Sequence, residues 1–252
     1  MLRTDLVAGA SVSGALAPEG MGGERPKRGW ARFGHMAIAV VLRVCGQNGL
    51  CVFAFRDSAV EGEWRLPSGL LEQGETLEMA VRRNLSYRMD VDSLAHLEQL
   101  QTSGMLDVGV GERIFATSYL GVAPWAAREE QLRSGGAWLS VNHLPKMAGD
   151  HAELVQSAAD TLRAKISRTE LGHALAPSEF TIAQLRDAYA AVLGYEVSST
   201  NLQRVLQRRG QLETTGAIAR PGAEGGRPAR LYRFVSQAAM AGELSGALLS
   251  AS

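Results

Sequence analysis

The stretch that most limits how this chain can fold is Arg65-Leu66-Pro67-Ser68-Gly69-Leu70-Leu71-Glu72-Gln73-Gly74-Glu75. It reads as a glycine-bearing loop running into a helix. Thr76 has the residue type and position of an N-cap, and Leu77, Ala80, Val81 and Leu85 form an apolar stripe behind it. Strand-like segments flank the pair. Met36 to Val44 and Leu50 to Arg56 are apolar runs separated by a turn that contains Asn48-Gly49, a hairpin signal. Leu94 to Thr102, Ile114 to Val122 and 137–141 read as further strands, with a Gly-rich loop at 103–112 and a loop of some helical character at 124–136. Asp150-His151-Ala152-Glu153 opens another helix with a capping-box pattern and the apolar face Leu154, Val155, Ala158, Leu162 and Ile166.

Gly69, Glu75, Arg83, Leu85 and Val91 fall at the spacing of a Nudix box, and the stretch resembles one. That resemblance implies an α/β fold, a Nudix-like α/β/α sandwich. It also implies three helical glutamates at 84, 87 and 88, where this chain has Asn84, Tyr87 and Arg88; Asp90 replaces a glycine. Positions 84, 87 and 88 would share one helix face. Three carboxylates there supply hard oxygen ligands for Mg²⁺, which bridges a pyrophosphate and activates water. An amide, a phenol and a guanidinium do not. The expectation is a domain that binds a pyrophosphate compound and has no catalytic residues and no metal site. Arg56 and Arg65 are the candidate phosphate groups, with Glu72, Glu75 and Arg83 from the box; Glu75 and Arg83 have an alternative role as a structural pair. His151 reads as a capping or core histidine rather than a ligand.

A chain of 252 residues holds one large domain or two ordinary ones. With 46% apolar and 21% charged residues a packed core is expected. Net charge is zero, yet residues 198–235 hold seven arginines (204, 208, 209, 220, 227, 230, 233) against Glu213 and Glu224. The C-terminal module is therefore basic. Cys45 and Cys51 lie in one predicted strand pair with no His/Cys cluster, and read as buried thiols of a reducing cytoplasm rather than a disulfide or zinc site. No apolar run approaches the roughly 20 residues of a membrane span. Leu6 to Ala17 is a faint signal-like stretch interrupted by Ser and Gly; residues 1–34 read as a disordered extension and 241–252 as a tail.

A hinge is expected near Leu171–Pro177. Beyond it, Thr181 with Gln184 forms a second capping box, and a helix runs to Gly194 with Ile182, Leu185, Tyr189, Val192 and Leu193 inward. Ser198 or Ser199 caps a further helix, with Leu202, Val205 and Leu206 on one face and Thr200, Asn201, Gln203, Arg204, Gln207 and Arg208 on the other. Leu212 to Ala219, a Gly/Pro-rich loop, and Ala229 to Val235 then read as a basic-tipped hairpin. Two helices and such a hairpin form a winged helix-turn-helix pattern. Ser199, Thr200, Asn201 and Arg204 sit near a helix N-terminus, where side chains meet base edges. Arg208, Arg227 and Arg230 are placed for phosphate or minor-groove contact.

The Nudix-like box, Leu97-Glu98-Gln99-Leu100, Asp150-His151-Ala152-Glu153, Phe180-Thr181-Ile182-Ala183-Gln184-Leu185 with Tyr189, Asn201, and Gly226-Arg227-Pro228-Ala229-Arg230-Leu231-Tyr232-Arg233-Phe234 together resemble the NrtR family, Nudix-related regulators of NAD metabolism. The resemblance covers about residues 35–235. It implies residues 35–172 as a ligand-sensing and dimerisation domain and 173–240 as the winged helix-turn-helix domain. It implies a cytoplasmic homodimer on a palindromic double-stranded DNA operator, repressing genes of NAD synthesis or salvage. No cofactor is required, and ADP-ribose is the implied effector. Family members often carry an Arg-Asp-Pro-Arg-like segment after the Glu-Gln-Leu strand; Gly104 to Glu112 here lacks it, and other branches of the family respond to other metabolites such as sugars. The rival readings are an active Nudix pyrophosphatase on ADP-ribose-type substrates, separable by Mg²⁺-dependent turnover, and a regulator of a non-NAD metabolite.

Overall fold

The computed structural model describes residues 33–56, 62–107, 113–125, 132, 135–166, 171–219 and 228–235. Its first part is built around β1 (Gly34–Val44), an apolar run buried almost along its whole length. A strand covered on both faces needs such a continuous run rather than alternation. Met36, Ile38, Val40 and Leu42 pack with Leu154, Val155, Ala158 and Leu162 of α2 (His151–Ile166). Ala37, Ala39 and Val41 face the other way, against Ala80, Val81 and Leu85 of α1 (Leu77–Ser86). The alternating sides of one strand thus seat one helix on each face, giving the α/β/α sandwich.

β2 (Leu50–Arg56) returns antiparallel to β1, with Leu42 opposite Val52 and Val44 opposite Leu50. The turn between them is a 3-10 turn, Gly46–Asn48, ended by Gly49 at φ +67°, a conformation suited to glycine. β3 (Trp64–Arg65) pairs with β2, and β4 (Ser68–Leu70) with β1. β5 (His96–Asp107) pairs with β6 (Arg113–Val122), which runs parallel to β1 from Gly34/Ile114 to Leu42/Val122. β7 (Gly136–Ser140) closes the other side against β2. One boundary differs from the sequence reading. β5 continues through 103–107, expected as loop, because it pairs through two register shifts with β6. Most of 124–136 lies outside the described residues.

α3 (Leu171–Leu175) occupies the expected hinge. It is a short buried helix, since Leu171, Ala174 and Leu175 join the main core, and Trp125 N donates to Leu175 O at 2.9 Å. α4 (Ile182–Leu193) starts with the Thr181/Gln184 capping box and ends at Gly194 in the left-handed conformation. α5 (Ser199–Arg208) is capped by Ser198. β8 (Leu212–Ala219) and β9 (Ala229–Phe234) form the hairpin. Phe180, fully buried, exchanges two backbone hydrogen bonds with Tyr232, so the segment before α4 adds a short third strand to it.

Candidate ligand site and nucleic-acid interface

The box loop is organised by one ion pair. Arg83 donates through Nε to Glu75 Oε1 at 2.6 Å and through Nη2 to Glu75 Oε2 at 2.8 Å and Leu70 O at 2.9 Å. Its Nη1 lies 3.2 Å from Glu72 Oε1. Glu72 N donates to Glu75 Oε2, closing the turn on itself. The Arg83 guanidinium, and then the Glu72 amide, hold the Glu75 carboxyl down at about 2. Of the five expected ligand residues, three are therefore brought together and bonded to one another. Arg56 and Arg65 are not brought together. Arg56 is paired with Trp64 and Arg65 with Phe55 across the β2–β3 ladder, so alternation sends them to opposite faces. Arg56 is exposed, its guanidinium 4.7 Å from the Trp64 ring centroid. Arg65 is half-buried, and its Nε has no partner among the described residues.

The divalent cation implied by a Nudix box does not fit here. α1 runs to Ser86 with Tyr87 as its C-cap, still in the right-handed helical conformation, and positions 84, 87 and 88 carry an amide, a phenol and a guanidinium in place of carboxylates. The last turn tightens as Arg88 N and Met89 N both donate to Leu85 O, which carries Met89 into the core. Asn84 Nδ2 donates to Ala80 O at 2.7 Å. Tyr87 is exposed, and Arg88 lies 4.0 Å over the Phe55 ring. Among the described residues no three His, Cys, Asp or Glu side chains converge on one point. Gly69 is closely approached by Asn84: a Cβ there would clash with the Asn84 side-chain amide, which would have to move.

His151 is a core histidine whose role sequence reasoning did not find. It is 2% exposed, and its Nδ1 accepts from Leu66 N at 3.0 Å. Burial, and then the Arg65 charge, push it down to about 4, so it is neutral with the proton on Nε2. It ties the first residue of α2 to the link between β3 and β4 that enters the box. At the other end of α2, Lys165 Nζ reaches both Glu98 oxygens at 2.8 and 2.7 Å, and Arg163 Nε donates to Val192 O of α4 at 2.9 Å. Glu98 within Leu97-Glu98-Gln99-Leu100 is thus an anchor for α2.

In α5, Leu202 and Leu206 are buried, while Thr200, Asn201, Arg204, Gln207 and Arg208 are exposed and Ser199 is half-buried. Arg204 Nη2 donates to Asn201 Oδ1 at 3.2 Å, holding both on one surface. Gln203, expected on this outer face, instead turns inward and donates to Tyr232 OH at 3.1 Å. On the hairpin Arg230 is exposed opposite Ile218, itself 61% exposed. Arg227 lies outside the described residues. A mainly apolar cavity of about 330 Å³ lies behind α5, lined by Tyr189, Leu193, Leu202, Val205 and Phe234 and remote from the box residues.

Residues 172–234 match the NrtR DNA-binding winged helix domain. A protein of Acinetobacter baylyi described as the ADPR responsive transcriptional repressor NtrR is 30% identical over 182 residues, covering 69% of this chain and 70% of that protein. The crystal structure of Shewanella oneidensis NrtR complexed with a 27mer DNA superposes with a TM-score of 0.69 at 24% identity, over 81% of this chain and 95% of that one. A MutT/nudix family protein from Enterococcus faecalis gives 0.62 at 16% identity, over 84% and 90%. The two structural likenesses establish the fold: a Nudix-like α/β domain followed by a winged helix domain.

Proposed function

The chain belongs to the NrtR family, and from that premise we propose that it is a DNA-binding transcriptional repressor whose Nudix-like domain senses ADP-ribose or a related NAD-derived nucleotide without hydrolysing it. The observation that carries the reading is the face of α5: Thr200, Asn201, Arg204 and Arg208 exposed over a buried Leu202/Leu206 stripe, beside a hairpin on which Arg230 is exposed. A helix so presented meets base edges with its N-terminal residues and phosphates with its arginines. The A. baylyi relative is described as ADPR responsive, and the box positions that would hold a metal carry Asn84, Tyr87 and Arg88.

Residues 35–172 form the sensing and dimerisation unit and 173–240 the DNA-binding unit of a cytoplasmic homodimer on a palindromic operator near genes of NAD synthesis or salvage. Half-sites then lie about one helical turn, or a multiple, apart. Among the described residues no helix is long and apolar enough to cross a membrane. Effector binding reaches the DNA-binding unit through α2. Its first residue holds Leu66 at the entry to the box, and its last turns hold Glu98 and Val192. A ligand that favours another placement of the box strand re-seats this rod, of roughly 24 Å, and lowers operator affinity by its differential binding energy, typically ~1–3 kcal/mol.

The test is calorimetric titration of the full chain with ADP-ribose, with product analysis in Mg²⁺. Saturable binding with the nucleotide recovered intact is expected. Turnover at roughly 1 per second or faster would replace the sensor with an enzyme. Binding of a sugar but not of ADP-ribose would move the chain to another branch of the family.

A further inference from the structure

The β1–β2 turn brings two thiols and a guanidinium together. Arg43 is the cross-strand partner of Cys51, and Cys45 N donates to Gly49 O at 2.9 Å. This register puts Cys45 and Cys51 on one face of the ladder as diagonal neighbours. The two side chains interact, and Cys51 Sγ donates to Asn48 O, on the same turn, at 3.9 Å. Arg43 Nε donates to Cys45 Sγ at 3.2 Å. A cation donating to sulfur stabilises negative charge on it, which is the form that attacks oxidants. Accessibility divides the pair: Cys45 is partly exposed and Cys51 fully buried. The contact with Cys45, and then burial, push the Cys51 thiol up, so Cys51 keeps its proton.

We propose that Cys45 and Cys51 are a peroxide-responsive dithiol, Cys45 the attacking and Cys51 the resolving thiol, closing to a disulfide across the β1–β2 turn. In the first step the Cys45 thiolate attacks one peroxide oxygen. An S–O bond forms, the O–O bond breaks and hydroxide leaves; sulfur is oxidised by two electrons and peroxide reduced by two. In the second step the Cys51 sulfur attacks the Cys45 sulfenic acid. The S–S bond forms, the S–O bond breaks, and the departing hydroxide takes the Cys51 proton as water. Arg43 also carries the readout, because its buried guanidinium lies 4.2 Å from the Trp138 ring centroid. Closing the disulfide removes the anionic sulfur from Arg43 and changes the field at Trp138.

The experiment treats the folded full chain with a small molar excess of hydrogen peroxide, followed by intact mass, thiol titration and tryptophan emission. The expected product is a chain not cross-linked to another and lighter by two hydrogen atoms, with its titratable thiols lost and recovered with dithiothreitol. The Trp138 emission, taken as the difference from Trp138→Phe, shifts and returns with the thiols. Cys51→Ser is expected to leave a Cys45 sulfenic acid that dimedone traps, and Cys45→Ser to leave Cys51 unreactive. Addition of oxygen atoms to either cysteine without hydrogen loss, a disulfide between chains, or thiols that survive the treatment would each overturn the proposal.

Discussion

His151 Nδ1, on the first residue of α2, accepts the backbone N–H of Leu66 at 3.0 Å, so a buried neutral imidazole fixes the link between β3 and β4 that enters the box. The imidazole is held near 4 against an ordinary 6.5. Between those values the unfolded chain binds a proton that the folded chain does not. Stability therefore rises with pH across this window, is fully present above 6.5, and is lost as pH falls toward 4. The contribution is about 3 kcal/mol. In His151→Gln, urea unfolding should show a flatter dependence on pH between 4 and 6.5 than in the parent chain. An unchanged slope would mean that the imidazole is protonated in the fold.

The Glu75–Arg83 pair titrates lower. Glu75 is held near 2 against an ordinary 4.5. Its contribution is complete above 4.5 and disappears as pH falls toward 2. Glu75→Gln should remove this acid-side loss while leaving the slope above pH 5 intact. Melting temperatures of both chains across pH 2–5 check it.

Gly69 and Asn84 should be coupled. A methyl at 69 forces Asn84 away from Ala80 O, at a cost of about 1 kcal/mol for the lost hydrogen bond. Gly69→Ala should destabilise the chain, and Asn84→Ala should cancel most of that added loss. A double-mutant cycle with no interaction energy would contradict the contact.

On α5, neighbouring residues should separate into two behaviours. Arg204→Ala should weaken operator binding by roughly 10-fold or more and relax sequence preference. Arg208→Ala should weaken binding to all duplexes alike and reduce the salt slope by about one. Gln203→Ala, which loses the Tyr232 hydroxyl, should lower stability by about 1 kcal/mol and leave sequence preference unchanged. Anisotropy titrations at several salt concentrations distinguish the three.

Local signals carried most of the sequence reading. Thr76, the Thr181/Gln184 box and Ser198 cap the helices expected of them because a cap depends only on residues three apart. The apolar runs of β1 and β2 were legible for the same reason. The relationships that build the site join distant parts of the chain and leave no local trace: His151 with Leu66, Lys165 with Glu98, Phe180 with Tyr232, β1 parallel to β6. The close of α1, where Arg88 N and Met89 N share Leu85 O and Met89 is buried, leaves no periodic signal in the residues around 84–88. Helical spacing alone puts Gln203 on the outer face of α5, and its bond to Tyr232 reverses that.

The most direct measurement is the affinity of the full chain for duplexes from promoters of NAD biosynthesis genes, with and without ADP-ribose, for the parent chain and Arg204→Ala. Sequence-specific binding that both Arg204→Ala and ADP-ribose weaken is the expected result. Binding indifferent to sequence, or absent from every such promoter, would contradict the repressor reading; specific binding unaffected by the nucleotide would keep the repressor and remove the sensor.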